Sequence, residues 1–182
     1  MKKVWLVVVV VMGFFFFGKL TTVAFAQEKD FTTVFSEIKL NLDDEDIEIK
    51  KSSDEYYHVN LLRCQNKVKV AEVDHQLKIF SVKDTRHWWS HLFSFSFNSK
   101  VILEIPEKWL DKVEIQTENS DISLKNVLSK VIVAHSGNGG IRVENTQIKT
   151  GRIELENGDL YLKNSDLGEI KFVLKNGDIR YK

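Results

Sequence analysis

Hydrophobic and polar residues alternate along the last third of the chain, and this alternation recurs with a fixed period. The phrase Asn-Ser-Asp-Ile-Ser-Leu at 119–124 returns as Asn-Gly-Gly-Ile-Arg-Val at 138–143, as Asn-Gly-Asp-Leu-Tyr-Leu at 157–162 and as Asn-Gly-Asp-Ile-Arg-Tyr at 176–181. Successive copies begin 19 residues apart. Alternation with a period of two is typical of a strand with one buried face. A constant interval indicates stacked copies of one structural unit.

Each repeat is predicted to contain two short strands, because two sets of apolar positions align from copy to copy. The aligned columns are Val113, Ile132, Gly151, Ile170; Ile115, Ala134, Ile153, Phe172; Ile122, Ile141, Leu160, Ile179; and Leu124, Val143, Leu162, Tyr181. Polar residues separate these positions within each strand, so one face is predicted to be buried and the other solvated.

The repeats predict an all-β, single-domain parallel β-helix, or β-solenoid, with 19-residue rungs in the C-terminal half. A coil must keep its perimeter constant if equivalent strands are to stay in register, and the constant interval meets that requirement. A β-sandwich built from hairpins is the alternative, although hairpins do not require equal spacing.

The turn within each repeat carries an Asn that is followed by Gly in three of the four copies. Gly, and to a lesser degree Asn, tolerates a positive φ angle, which tight turns require. Stacked copies would lie about 4.8 Å apart, a spacing at which side-chain amides can form hydrogen-bonded ladders. These structural turn positions are Asn119, Asn138, Gly139, Asn157, Gly158, Asn176 and Gly177, and a second Asn recurs at 126, 145 and 164.

The N-terminal half is also predicted to consist of strands, but without the repeated phrase. The predicted strands are Glu37–Leu42, Asp46–Lys50, Tyr56–Cys64, Lys67–Glu72, Gln76–Val82 and a strand that ends at Pro106, the only proline. We interpret 27–99 as irregular rungs and 100–182 as the regular repeats of one domain, 27–182. The lone Cys64 is expected to be a buried free thiol.

Residues 1–26 have the three regions of a signal for export. Two lysines precede an apolar run from Val4 to Gly18, and an Ala-x-Ala triplet ends at Ala26. The segment is predicted to be a signal peptide or an N-terminal membrane anchor, which puts the domain outside the cytoplasm, either secreted or anchored to the outer face of the cytoplasmic membrane. Removing it takes away three lysines and changes the net charge from 0 to −3, which gives no electrostatic footprint for nucleic acid.

Three aromatic residues are candidates for a partner surface. Trp88 and Trp89 lie in an aromatic stretch, 86–97, that is interpreted either as a loop covering the core or as a binding surface. Tyr181 lies in the last repeat, where an open strand edge could accept a partner strand. The alternative is a monomer whose edge is protected by Arg180 and Lys182.

Several positions carry side chains that could bind a metal ion or take part in catalysis. His87 and His91 have a zinc-compatible spacing but lack a clear third ligand. The run 43–46 and the column Asp121, Asp159 and Asp178 could attract calcium, but solvated turns are the simpler interpretation. The pair Glu154 and Glu156 shares a strand face, as carboxylates do on any solvated sheet. We therefore predict no metal site, no cofactor and no catalytic residue.

The exported N-terminus, the strand closing on Ile-Pro and the repeated Asn-Gly-Asp-Ile/Leu-x-Leu-x-Asn phrases resemble the putative-adhesin family of Gram-positive bacteria, including LiaG-like envelope proteins. The resemblance implies a β-helix-like domain outside the cytoplasmic membrane, without established catalytic residues.

The function predicted from the sequence is that of a non-catalytic exported cell-envelope protein, an adhesin-like binding or structural domain that could serve envelope-stress sensing. Its partner would be an envelope protein or a cell-wall glycan, and membrane contact would occur only through residues 4–26 if the segment is retained. The alternative is a small glycan-active β-helix enzyme, a lyase or hydrolase, and only fold analogy supports it.

Overall fold

The computed structural model describes residues 26–64, 67–82 and 99–182. These residues form strands joined by short turns. The strands are β1 (Ala26–Phe31), β2 (Glu37–Leu42), β3 (Asp46–Lys51), β4 (Tyr57–Leu62), β5 (Val68–Val73), β6 (Gln76–Ser81), β7 (Lys100–Ile105), β8 (Leu110–Thr117), β9 (Ile122–Lys125), β10 (Leu128–Asn138), β11 (Ile141–Glu144), β12 (Gln147–Asn157), β13 (Leu160–Lys163), β14 (Asp166–Asn176) and β15 (Ile179–Tyr181). No helix that could cross a membrane occurs among these described residues.

The strands form two mostly parallel sheets. The eight-stranded sheet has the order β1-β4-β7-β3-β9-β11-β13-β15, and the seven-stranded sheet has the order β14-β12-β10-β8-β2-β6-β5. The antiparallel pairs among the described strands are β1–β4, β4–β7 and β5–β6. From Leu110 onward, consecutive strands along the chain alternate between the sheets, so the fold is all-β with parallel ladders, as the alternation of the repeats predicts.

The register of the C-terminal ladders follows the repeat. Ile132 of β10 pairs with Val113 of β8 and with Gly151 of β12, and Ile141 of β11 pairs with Ile122 of β9 and Leu160 of β13. Paired residues are 19 positions apart in each of these cases. Equivalent side chains of successive repeats therefore lie side by side on one face of a sheet.

Two N-terminal strands extend these ladders, but their distance along the sequence from the strands they pair with does not follow the 19-residue period. Ile38 of β2 pairs with Val113, and Ile47 of β3 pairs with Ile122. The strands predicted between Glu37 and Val82 are confirmed, with small shifts at their ends. The strand β1 was not predicted, because its sequence, Ala-Gln-Glu-Lys-Asp-Phe, lacks alternating apolar residues. Its position is set by antiparallel pairing with β4.

The core lies between the two sheets and combines inward-facing column residues with apolar residues of the N-terminal strands. Ile122, Ile132, Ile141 and Leu160 of the columns are fully buried, as are Ile38 and Leu103 of the N-terminal half. Burial removes about 25 cal/mol of unfavourable hydration free energy per Å² of apolar surface, so both halves of the core stabilise the fold. Cys64 is buried with 4% of its surface exposed, as predicted for a free thiol.

The repeated Asn-Gly turns have two features in common. Their glycine adopts a positive φ angle, and their Asn side chain takes part in a ladder of amide hydrogen bonds. Gly139, Gly158 and Gly177 have φ angles of 148°, 151° and 147°, which side chains rarely adopt. A Cβ atom at Gly158 would lie 2.2 Å from the carbonyl oxygen of Gly139, so the stacked backbones also leave no room for one. Ser120, which occupies this place in the first copy, does not have a positive φ.

The predicted amide ladder is found at the first Asn column. Asn138 Nδ2 donates to Asn119 Oδ1 at 2.8 Å, and Asn157 and Asn176 continue the series at 2.9 Å each. The second Asn column has a different role, because Asn126, Asn145 and Asn164 adopt left-handed φ angles of 55°, 49° and 45° at the exit of the short strands. Asn thus forms side-chain hydrogen bonds between repeats in the first column, and in the second column it adopts a left-handed backbone conformation that most residues disfavour.

Candidate binding surface on the eight-stranded sheet

A row of outward-facing side chains crosses the eight-stranded sheet. Pairing places Glu48 of β3 beside Ser123 of β9, followed by Arg142 of β11, Tyr161 of β13 and Arg180 of β15. Neighbouring strands lie about 4.8 Å apart, so adjacent members of the row are within side-chain contact. Ser123 is the only short side chain in the row.

The short side chain at Ser123 opens a depression of about 240 Å³ on this face. Gly140 lies in the adjacent row and also has no side chain to fill the space. We call this feature the Ser123 depression; its rim includes Asp46, Glu48, Lys100, Lys125, Arg142 and Tyr161. The hydroxyl of Ser123 is buried and has no hydrogen-bond partner among the described residues. A ligand could reach it only if the Ser123 side chain rotated toward the depression.

The acidic side of the depression is a carboxylate held by two lysines. Glu48 is paired with Lys100 through one oxygen and with Lys125, at 3.1 Å, through the other, and 13% of its side chain is exposed. Burial acts to raise the pKa of Glu48, but the hydrogen bonds and charges of Lys100 and Lys125 outweigh it and leave the pKa below its usual value. Glu48 therefore stays ionised at neutral pH.

The opposite side of the depression is a stack of cations on an aromatic ring. The guanidinium groups of Arg142 and Arg180 lie 5.5 Å and 5.4 Å from the centroid of the Tyr161 ring. Arg180 also pairs with Asp159 at 2.7 Å. Cation–π contacts and this ion pair fix the orientation of the ring and of Arg142, so the wall of the depression is pre-organised.

Side chains of the Asp column, a candidate for calcium, connect successive turns by hydrogen bonds. Asp121 Oδ1 accepts a hydrogen bond from the Gly140 N–H at 2.7 Å, and Asp159 Oδ1 accepts one from the Asp178 N–H at 2.9 Å. Asp46 does the same for Asp121 at 3.1 Å. One oxygen of each of these three carboxylates thus accepts a backbone N–H from a neighbouring turn.

Carboxyl groups with perturbed pKa values are shifted in one direction. Each described carboxyl group whose pKa is displaced has it displaced downward: Glu48, Asp54, Glu114, Glu156 and Asp159. Of these groups, Glu48 lies at the Ser123 depression, where its ionised form can accept hydrogen bonds and pair with cations.

Of the three aromatic candidates for a partner surface, Tyr181 lies in the described part of the chain. Tyr181 lies at the end of β15 and is 73% exposed. Trp88 and Trp89, and the zinc candidates His87 and His91, lie outside the described residues, as do residues 1–25 of the predicted export signal.

The sequence contains one signal for the Ser123 depression, namely short residues at two outward positions, which did not enter the prediction of the site. In the outward columns, Ser123 and Gly140 are short where the equivalent positions of other repeats hold Arg, Tyr or Asp. Departures from the column pattern, and not the columns themselves, mark the place where the surface is open.

Comparison with solved structures supports the fold. A putative cell adhesion protein from Clostridium sporogenes ATCC 15579 superimposes with a TM-score of 0.58 at 12% identity, covering 86% of this chain and 99% of the other. A putative adhesin from Parabacteroides distasonis ATCC 8503 gives a TM-score of 0.41 at 14% identity, covering 87% of this chain and 79% of the other. The likeness to the Clostridium protein, at 12% identity, supports the fold alone.

No curated protein sequence matches this chain. The family model described as Toastrack DUF4097 matches residues 35–182, which include the paired strands from β2 to β15 and the whole repeat region. The resemblance to adhesin-like proteins inferred from the repeats is confirmed by this match and by the structural neighbours. The chain belongs to the Toastrack DUF4097 family.

Proposed function

We propose that the chain is a non-catalytic, exported cell-envelope domain that binds a cell-wall glycan through the Ser123 depression. The observation that carries the proposal is the mixed lining of that depression. Arg142 and Lys125 keep N–H donors, and Asp46 and Glu48 keep acceptor lone pairs, beyond those that their protein partners use, and the Ser123 hydroxyl can act as either once its side chain rotates outward. Sugar hydroxyl groups both donate and accept, so a glycan can satisfy this set of groups.

The architecture suits such a role. We propose that the ladders form a β-solenoid with 19-residue rungs, which keeps the outward face of the eight-stranded sheet flat and continuous. A long polymer could follow such a face across several strands. The extracytoplasmic location is supported by the export signal in residues 1–26, and the accessory role in envelope-stress sensing rests on the resemblance to LiaG-like proteins alone.

Binding by the full chain in detergent micelles to soluble cell-wall glycan fragments tests the proposal. We expect Arg142→Ala and Tyr161→Ala each to weaken binding at least about tenfold, because one removes a donor and the other removes the support of the wall. Arg152→Ala is the matched control, since Arg152 belongs to the same repeat, pairs with Glu154 and lies on the seven-stranded sheet.

Three results would contradict the proposal. If Arg152→Ala weakened binding as much as Arg142→Ala, the depression would not be the binding site. If the glycan were recovered cleaved, and cleavage stopped on changing one carboxylate, the enzyme alternative would replace the non-catalytic interpretation. A complex with an envelope protein and no affinity for glycan would reassign the class of ligand.

A further inference from the structure

Three side chains on the outward face of the first antiparallel pair converge on one point. Asp30 of β1 is the direct cross-strand partner of His58 of β4, and Glu28 lies two residues from Asp30 on the same face. One ligand atom from each of the three lies within 4.8 Å of the other two. We call Glu28, Asp30 and His58 the His58 cluster. It is separate from the Ser123 depression, and nothing in the repeat pattern indicated it.

The imidazole of His58 lies between two carboxylates. Its Nδ1 atom is 2.7 Å from Asp30 Oδ1, and its Nε2 atom is 2.9 Å from Asp54 Oδ1. A neutral imidazole carries one N–H, so it can donate to only one of these oxygens. The other nitrogen then faces its carboxylate favourably only if it carries a second proton or binds a metal ion, and the hydrogen bonds to Asp30 and Asp54 raise the pKa of His58 toward the protonated form.

Asp54 fixes which nitrogen holds the proton. Its Oδ1 atom also accepts hydrogen bonds from the Ser52 hydroxyl at 2.9 Å and from the Tyr56 N–H at 2.8 Å. Ser52 is buried, so this carboxylate is held in place by groups outside the His58 cluster. Because Asp54 is held in this way, we assign the Nε2–H to Asp54, which leaves Nδ1, facing Asp30, as the nitrogen that a metal ion would bind.

The carboxylates around His58 favour a positive charge at the imidazole. A second proton on Nδ1, or a divalent cation in its place, would offset the negative charges of Glu28, Asp30 and Asp54. A carboxylate that orients a ligating histidine through its second nitrogen is a recurring feature of metal sites, and Asp54 has that position here.

We propose that Glu28, Asp30 and His58 form a Zn²⁺ site, with Asp54 orienting the histidine and water completing the coordination. Zn²⁺ accepts imidazole nitrogen and carboxylate oxygen at about 2.0–2.2 Å in a tetrahedral arrangement, which the exposed side chains of Glu28 and Asp30 can reach by small rotations. Ca²⁺ requires six to eight oxygen ligands, so it should not compete. The ion would join β1 to β4, the strand on which β1 depends for its pairing.

Isothermal titration of the untagged full chain in detergent with Zn²⁺ at pH 7 tests the site. The protein titrated carries four substitutions, His75→Gln, His87→Gln, His91→Gln and His135→Gln, so that His58 is its only histidine. We expect one equivalent of Zn²⁺ to bind and Ca²⁺ not to bind. His58→Gln should lower the affinity more than 100-fold, and Asp54→Asn, which keeps all three ligands, should lower it about 10–100-fold.

Glu55→Gln is the matched control, because Glu55 is an exposed carboxylate beside Asp54 in sequence and lies outside the His58 cluster. It should leave the affinity unchanged. Circular dichroism of every variant checks folding, and Glu28→Gln, with its exposed side chain, remains informative if His58→Gln fails to fold. Failure of Zn²⁺ to bind, equal binding of Ca²⁺, or equal losses from Glu55→Gln and Asp54→Asn would overturn the proposal and leave His58 with a proton only.

Discussion

At the scale of single residues, the structure separates positions that the repeat makes look alike. Gly158 has a φ of 151° and Ser120, its counterpart in the first copy, does not have a positive φ. The difference arises from the backbone on which each turn is stacked. Gly158 lies over the backbone of Gly139, whereas Ser120 belongs to the first copy, which stacks on the turn that begins at Asp43.

Gly158→Ala should therefore destabilise the chain by about 1–3 kcal/mol, because the new Cβ is strained at this φ and meets the carbonyl oxygen of Gly139. Ser120→Ala, the matched change, should have little effect, since it removes a buried hydroxyl that is unpaired among the described residues. Urea unfolding followed by tryptophan fluorescence measures both. A loss at Gly158→Ala no larger than that at Ser120→Ala would contradict the strain expected from the positive φ and the close carbonyl of Gly139.

Cys64 gives a second prediction at this scale. Burial, with the nearby charge of Glu45, raises the pKa of the Cys64 thiol from 9.0 to about 11. At pH 8 the reactive thiolate should therefore be about 100-fold rarer in the folded chain than in the unfolded chain. Iodoacetamide should label Cys64 at least about 100-fold more slowly in buffer than in 8 M urea. Similar rates in the two conditions would contradict the burial of the thiol.

At the scale of strands and turns, the Asn ladder connects successive repeats at the corner between the sheets. Asn157 donates to Asn138 and accepts from Asn176, whereas Asn176 takes part in one ladder bond among the described residues. The turn glycines beside it could be anticipated from the sequence, because a recurrent Asn-Gly pair demands a special backbone. Which of the two Asn columns forms the ladder could not, since both recur with the same period.

Asn157→Ala should cost about 1–2 kcal/mol, because two exposed hydrogen bonds are lost, and Asn176→Ala about half as much. Thermal unfolding by circular dichroism compares the two variants. A larger effect at Asn176 would mean that the ladder is not a chain of equivalent bonds and that the residue acts through some other contact.

At the scale of the whole molecule, the sequence predicted the periodic half well and the sites poorly. Alternation and the constant interval determine the columns from Val113 to Tyr181, so the strands and their faces follow from local pattern. The Ser123 depression also needs Glu48, which β3 brings beside Ser123 from 75 positions away, and the His58 cluster needs the antiparallel pairing of β1 with β4. Neither contact has a periodic signal, because each depends on long-range register.

Removal of one repeat tests the whole-molecule register. Deleting residues 138–156 takes out 19 residues and joins Gly137 to Asn157, so every remaining column keeps its partners. Deleting 139–156 leaves one extra residue, which must form a bulge or turn the alternate side chains of the following strands outward. We expect the first deletion to melt cooperatively at a clearly higher temperature than the second. Equal melting temperatures would show that the columns do not depend on the interval.

The separation of inward and outward columns has an evolutionary consequence. Folding constrains the buried apolar columns, the turn glycines and the Asn ladder, and these positions leave the outward rows of the eight-stranded sheet largely free. Substitutions in such a row can change what the surface recognises at little cost in stability. A lineage that exchanges Ser123 or Tyr161 for other side chains could therefore move to a new surface ligand without redesigning its scaffold, and the same architecture could diversify as host or cell-wall chemistry changes.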